Sequence, residues 1–276
     1  MSLSHDGQLA VAIRSEVAAM KRDHRRRVEM IGQLPWLAGG VQGCEIDGQQ
    51  SFLPRVRVPI VSVLRPMFIP VSGQNLRRRL IQLIAGETLF GVGIGLMLQS
   101  GLGVPPWDVL HQGLAIRFGL TIGIWSIIVS FLVLLLWLPL KERYGLGTLI
   151  NAILIGVMID VSVLVIPETS GIWAVVMLSG GILMIAVASG MYIGANLGPG
   201  PRDGLMTAIA RKGPSIRITR SIIEVVVLIA GVLLGGSFGV GTIAFALLIG
   251  PLVQFFLPRW SIDTGRPEDA WDHPAR

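Results

Sequence analysis

Gly101-Leu-Gly-Val-Pro-Pro-Trp-Asp108 returns further along the chain as Asn196-Leu-Gly-Pro-Gly-Pro-Arg-Asp203, at a spacing of 95 residues. Each copy is a glycine-rich bend followed by Pro-x-Asp. Proline suits the first turn of a helix because it has no N–H to leave unpaired, and an Asp two residues later complements the positive helix N-terminus. The repeated stretch therefore predicts two short helices, each introduced by a bend.

A second motif repeats at nearly the same spacing. Gly145-Leu-Gly-Thr148 returns as Gly239-Val-Gly-Thr242, 94 residues later. Matching residues at one long spacing are typical of an internal repeat. The shared unit consists of a span, a glycine-rich bend, a Pro-x-Asp helix, a second span, a Gly-x-Gly-Thr turn and a third span.

The segments around these motifs are apolar enough to be membrane spans. Hydrophobic residues make up 52% of the chain and charged residues 14%, too few charges for a soluble domain of this length. A helix that crosses a bilayer needs about 20 predominantly apolar residues. Six segments meet this requirement: 80–98, 121–139, 147–166, 172–194, 218–235 and 240–257.

The repeat and the spans together define the predicted fold. Each unit holds three spans, and an odd number of crossings turns the second unit upside down relative to the first. We therefore predict an all-α membrane protein of six transmembrane helices, arranged as two inverted three-helix repeats, each with a short Pro-x-Asp interfacial or re-entrant helix. The predicted divisions are a tail at 1–75, repeats at 76–168 and 169–260, and a C-terminal tail at 261–276.

The basic residues fall on alternate loops. Cytoplasmic loops of membrane proteins carry an excess of Lys and Arg. With both termini in the cytoplasm, the inner side holds Arg77, Arg78, Arg79, Lys141, Arg143, Arg202, Arg211, Lys212, Arg217, Arg259 and Arg266. Arg117 is the one basic residue in the loops of the other side. The pattern predicts a multi-pass protein with cytoplasmic N- and C-termini.

The net charge of the chain comes from its N-terminal part. Residues 1–79 carry 12 Lys/Arg and 6 Asp/Glu, whereas the remaining residues carry 11 of each. Basic residues beside spans contact anionic lipid, so the predicted partner is membrane lipid and not nucleic acid. Residues 1–75 fit a basic, weakly ordered cytoplasmic tail or sequence upstream of a start at Met67; a regulatory or lipid-contacting arm is a third interpretation.

The Pro-x-Asp helices carry candidate substrate-binding residues. The glycines before them would allow the chain to dip back into the membrane, so that both helices point polar ends at one cavity. Asp108 with His111, and Arg202 with Asp203, would then line it. Helix starts alone also explain the two Asp residues, whereas Arg202 has no capping role.

Ionisable residues inside spans are candidates for proton or ion coupling, because burying them unpaired is costly. Glu87 and Asp160 have no partner at helical spacing and are the leading candidates; Glu224 is a further one. Arg220 and Glu224 are four residues apart and share a helix face, which favours mutual pairing.

The sequence lacks the motifs of several common classes of enzyme. The chain has no P-loop, G-x-S-x-G or H-E-x-x-H sequence, so we expect neither an enzyme nor a metal or organic cofactor. Its single cysteine, Cys44, excludes an intramolecular disulfide. The stretch Gly91-Val-Gly-Ile-Gly95 lies inside a span without a preceding strand, so it is read as a small face for helix packing.

Several blocks resemble the YczE-type (YczE/YyaS-like) family of bacterial integral membrane proteins. They are Gly101–Gly113, Gly145–Thr148, Leu197–Met206, Gly239–Thr242 and Leu248–Gln254, within about residues 76–258. The resemblance implies a bacterial cytoplasmic (inner) membrane and marks five positions for testing: Trp107, Asp108, His111, Arg202 and Asp203. It implies no particular substrate.

Two functions are consistent with this sequence. Inverted repeats recur in secondary transporters, whose sites lie at the repeat interface. This favours a small-molecule transporter or exporter, with proton coupling as an option. The alternative is a non-transporting scaffold or regulator of a biosynthetic or envelope enzyme, with a cytoplasmic protein as its partner. The glycine faces leave a homodimer open as well.

Overall fold

A computed structural model describes Phe68, Val71 and residues 74–263 of the chain. The predicted tail before these residues, the proposed start at Met67 and residues 264–276 of the C-terminal tail lie outside the described part. Within it, eight helices account for nearly all of the chain and no strand occurs. The helices are α1 (Leu76–Ser100), α2 (Pro106–Phe118), α3 (Ile122–Leu140), α4 (Leu146–Val165), α5 (Gly171–Gly194), α6 (Pro201–Ala210), α7 (Ile216–Leu233) and α8 (Val240–Trp260).

Five helices are long and apolar enough to cross a membrane: α1, α3, α4, α5 and α8. This is one fewer than the six predicted segments. Segment 218–235 falls on α7, which has 18 residues but carries Arg217, Arg220 and Glu224. The chain is therefore a multi-pass, all-helical membrane protein.

Local sequence explains where the short helices begin. Both α2 and α6 start with proline, at Pro106 and Pro201, and each has an Asp in its first turn. Before them, Gly103 and Gly198 adopt φ values of 113° and 129°, which disfavour any residue with a side chain. The two predicted bends and the two predicted Pro-x-Asp helices are confirmed.

The centre of the fold is the contact between α1 and α5, the most extensive helix pair in the described chain. Glycines make it possible: a Cβ on Gly181 of α5 would lie 2.7 Å from the carbonyl oxygen of Gly93 on α1. Ile94, Met97 and Ile185 are fully buried around it. Small residues at such crossings let two helix backbones approach closely.

Helices at corresponding positions of the sequence repeat make corresponding contacts. α1 packs on α4 and α5 packs on α8, so the first and third long helices of each half are neighbours. The short helices cross over: α2 packs on α7 of the other half, and α6 packs on α3. Each half therefore receives the short helix of the other.

The two glycine motifs also exchange partners between halves. The Gly147 amide donates to the Leu197 carbonyl at 2.8 Å, and the Gly241 amide donates to the Leu102 carbonyl at 2.8 Å. Each Gly-x-Gly-Thr turn thus binds the bend of the opposite half. The Thr148 hydroxyl adds a bond of 2.7 Å to the Pro199 carbonyl.

One pair of contacts breaks this correspondence. α3 packs tightly on α4, where a Cβ on Gly156 would lie 2.5 Å from the Gly123 carbonyl oxygen. Gly250 holds the position of Gly156 in α8, yet nothing lies within 4 Å of a Cβ added there. α7 and α8 barely approach one another, so this side of the fold is open.

Adjacent glycines on α5 provide a test of the central packing. We expect Gly181→Ala to destabilise the protein by about 1–3 kcal/mol, because the added methyl group overpacks the α1–α5 contact. Gly180→Ala has open space at its Cβ and should be neutral or stabilising by up to about 1 kcal/mol, since alanine favours helix. Thermal unfolding of the detergent-solubilised variants measures both; equal effects would contradict the assigned packing.

Candidate functional site

A cavity of about 260 Å³ lies where the starts of α2 and α6 meet. Both Pro-x-Asp motifs contribute to its lining, together with side chains from α1, α3, α4, α5, α7 and α8. Of the five predicted substrate-binding residues, the four that line it are Trp107, Asp108, Arg202 and Asp203. The structure thus brings together two stretches that are 95 residues apart in sequence.

His111, the fifth predicted residue, lies behind Asp108. Its Nδ1 is 3.0 Å from Asp108 Oδ1, and both residues are fully buried. A neutral imidazole therefore carries its proton on Nδ1 and donates it to the carboxylate. Asp108 Oδ2 and His111 Nε2 have no hydrogen-bond partner in the described part of the chain. Asp108 is thus a cavity-lining residue that keeps one buried carboxylate oxygen unpaired.

Arg202 reaches across from α6 toward the start of α2. Its guanidinium carbon is 5.1 Å from the centre of the Trp107 ring, a cation–π distance. Its Nη2 is 3.5 Å from Ser126 Oγ and 4.0 Å from Asp108 Oδ1. These long contacts leave most of its five N–H donors available.

Two carboxylates at the site have neutral partners. Asp203 accepts a hydrogen bond from the Tyr192 hydroxyl. Glu87 is fully buried, and both of its oxygens accept from the Asn151 side-chain amide at 2.9 Å. Asn151 and Tyr192 both line the cavity, so Glu87 lies one side chain behind its wall.

Arg220 and Glu224 form the ion pair that their spacing predicted. Arg220 Nε is 2.8 Å from Glu224 Oε1, and both side chains line the cavity from α7. These two charged side chains of the amphipathic helix α7 therefore face the cavity. Its other face carries exposed apolar residues, including Ile222, Val226 and Ile229.

Asp160 is placed elsewhere, outside the residues that line the cavity. It accepts hydrogen bonds from the Thr121 hydroxyl and, at 2.8 Å, from the Gly123 amide, so it binds the start of α3. Sequence spacing gave Asp160 no partner because these donors lie on another helix. Asp160 therefore binds the start of α3 to α4, and this role is structural.

Sequence reasoning missed two residues that shape the site. Tyr192 was not among the candidates, although it is one of two tyrosines in the chain and lies inside an apolar segment. Trp137 positions α6 by donating from Nε1 to the Pro201 carbonyl at 3.1 Å, with its ring against Gly204. Both Tyr192 and Trp137 are polar aromatic residues inside predicted spans, and this feature could have identified them from the sequence.

No group of three or more His, Cys, Asp or Glu side chains is arranged to hold an ion within the described residues. The cavity lining offers a ligand charged groups, hydrogen-bonding groups and aromatic faces.

The chain is similar to one family of proteins and to several bacterial proteins. Residues 77–258 match the model of a family of unknown function, DUF6198. An uncharacterized protein of Haemophilus influenzae is 42% identical over 177 residues, which cover 63% of this chain and 81% of that protein. The uncharacterized membrane protein YczE of Bacillus subtilis is 37% identical over 179 residues, 63% of this chain and 83% of YczE.

A further relative confirms the resemblance recorded from the motifs. The uncharacterized protein YyaS of Bacillus subtilis is 29% identical over 180 residues, 63% of this chain and 89% of YyaS. No solved structure matches the chain.

Removing the contacts of Asp160 with α3 should destabilise the fold. Asp160→Ala loses two hydrogen bonds to a charged acceptor, and we expect a cost of about 1.5–3 kcal/mol for each well-formed bond. Gln254 is the counterpart of Asp160 on α8 but is exposed and lines the cavity, so Gln254→Ala should cost much less. Thermal unfolding distinguishes the two; a larger effect of Gln254→Ala would contradict the structural role of Asp160.

Proposed function

The chain belongs to the family of unknown function DUF6198, and we propose that it is a small-molecule transporter of the bacterial cytoplasmic membrane rather than an enzyme. Its six spans would form two inverted three-helix repeats, residues 76–168 and 169–260, with both termini in the cytoplasm. The observation that carries the proposal is the single cavity to which both repeats contribute a Pro-x-Asp helix start.

The sixth span would be α7, despite its charges. Charged residues inside membranes normally face a cavity and pair with one another. Arg220 and Glu224 do both, while Arg217 lies in the first turn, beside the basic loop that holds Arg211 and Lys212. The 18 residues of α7 span about 27 Å at 1.5 Å per residue, which is close to the thickness of a bilayer core.

The unequal helix contacts support alternating access. With inverted repeats, the α3–α4 contact would close the outer half of the cavity, and the gap between α7 and α8 would leave the inner half open. If α3 and α4 separated while α7 and α8 came together, the cavity would close to the inside and open to the outside. Rocking of one repeat against another around a fixed site is how such transporters work.

Glu87 is the carboxylate best placed to couple this movement to a proton. It is fully buried and is separated from the cavity by Asn151. Its direct partner among the described residues is the neutral Asn151 amide, and carboxylates placed in this way inside membranes occur in proton relays. Asp160, by contrast, keeps its place in the α3–α4 contact, where it would help to hold the outer half closed.

Cysteine labelling in a Cys44→Ser background tests the six-span topology. Lys212→Cys and Ser237→Cys lie in exposed positions before and after α7. We expect a membrane-impermeant maleimide to label Lys212→Cys only from inside and Ser237→Cys only from outside, in spheroplasts and inverted vesicles. Labelling of both from the same side would show that α7 does not cross, and the inverted repeat would be wrong.

A cysteine in the cavity tests transport more directly. Ser130 lines the cavity from α3, and Ser130→Cys changes its size little. If the cavity opens alternately to the inside and to the outside, Ser130→Cys should react with a small charged thiol reagent from either side of the membrane. Asp160→Asn should increase the rate of the reaction from outside, because it weakens the α3–α4 contact. Reaction from one side alone, unaffected by Asp160→Asn, would favour the non-transporting scaffold. Lys212→Cys provides the one-sided control.

A further inference from the structure

The charges around the cavity do not balance. Counting Glu87 behind the wall, four carboxylates face two guanidinium groups: Glu87, Asp108, Asp203 and Glu224 against Arg202 and Arg220. The starts of α2 and α6 each add about half a positive charge. With every group ionised, the sum is close to one net negative charge, and a single positive charge would neutralise it.

The missing positive charge is best placed near Asp203. Arg220 is bound to Glu224 at 2.8 Å, although it also interacts electrostatically with Asp203. Arg202 lies 4.0 Å from Asp108 and over Trp107. Among the described residues, the direct partner of Asp203 is the neutral Tyr192 hydroxyl. A ligand cation beside Asp203 would complete its pairing.

An independent observation also points to a positively charged ligand. The Asp108 side chain is 1% exposed and lines the cavity, yet its Oδ2 has no hydrogen-bond partner among the described residues. A buried carboxylate oxygen without a partner is costly. A donor on a bound cation would satisfy it.

The walls favour an organic cation over a hydrated ion. Phe90 and Phe245 line the cavity, and Phe90 packs edge-on against Tyr192 with ring centres 6.1 Å apart. Within the described residues, neither ring has a protein cation over its face, in contrast to Trp107. Aromatic faces bind alkylammonium groups through their negative π-systems.

From the charge, the unpaired Asp108 oxygen and the aromatic walls, we infer that the cavity binds a small monovalent organic cation, an amine in its ammonium form with apolar substituents. This rests on the proposed transport function and names its substrate class. The cationic group lies beside Asp203 and against the faces of Phe90 and Phe245, and its apolar substituents fill the rest of the cavity. A proton on Glu87 would cancel the same negative charge, so proton and cation compete and the two are exchanged.

Binding of matched probes to the full-length protein in nanodiscs tests this class of ligand. Benzylammonium should bind saturably and at least tenfold more tightly than ethylbenzene, its uncharged analogue, or benzenesulfonate, an anion with the same ring. Isothermal titration calorimetry with subtraction of empty nanodiscs provides the affinities. Equal binding of the neutral analogue, tighter binding of the anion, or no saturable binding of the ammonium would each overturn the inference.

Variants assign the binding to this cavity. Asp203→Asn keeps an acceptor for Tyr192 but removes the charge, and it should weaken ammonium binding at least tenfold. Phe245→Leu should weaken it several-fold by removing an aromatic face. Glu168→Gln, at an exposed position outside the cavity, should have no effect. Unchanged affinity of a folded Asp203→Asn protein would refute the site, whereas two-sided labelling of Ser130→Cys would still support transport.

Discussion

The hydrogen bonds between glycine turns and glycine bends hold the fold together. A bend inside a membrane exposes carbonyl groups that lipid cannot satisfy, so the protein must supply their donors. Gly147 and Gly241 supply them to Leu197 and Leu102 respectively, each across the boundary between repeats. A Cβ on Gly241 would lie 2.6 Å from the Gly103 carbonyl oxygen, and one on Gly147 would lie 3.1 Å from the Leu197 carbonyl oxygen. The positions of the bends, the short helices and the cavity therefore depend on these close contacts.

The cavity follows from that arrangement and from one departure from symmetry. Both short helices begin immediately after a bend, so fixing the bends brings Asp108 and Asp203 to the same cavity. The α3–α4 contact is closed by glycines and Asp160, whereas α7 and α8 stand apart. The same departure places Arg220 and Glu224 of α7 against the cavity and leaves the apolar residues of this helix exposed on its other face.

The sequence predicted much of this fold because its signals are local or repeated. Apolar length predicted the long helices, and proline with glycine predicted α2 and α6 at their correct starts. Pairing across helices could not be predicted from spacing: Glu87 and Asp160 lacked neighbours in sequence, but Asn151 and Thr121 reach them from other helices. Tyr192 went unnoticed for the same reason, since its role depends on Asp203 approaching from α6.

The exchange of partners between halves has a consequence for biosynthesis. The carbonyl of Leu102 is made early, but its donor, Gly241, follows only after roughly 140 more residues, which take between about 7 and 28 s at 5–20 residues per second. Throughout that interval the Leu102 carbonyl lacks the donor that it has in the folded protein. Water or the insertion machinery must therefore supply a donor during synthesis, and the contacts of the first half are completed only when the last helix arrives.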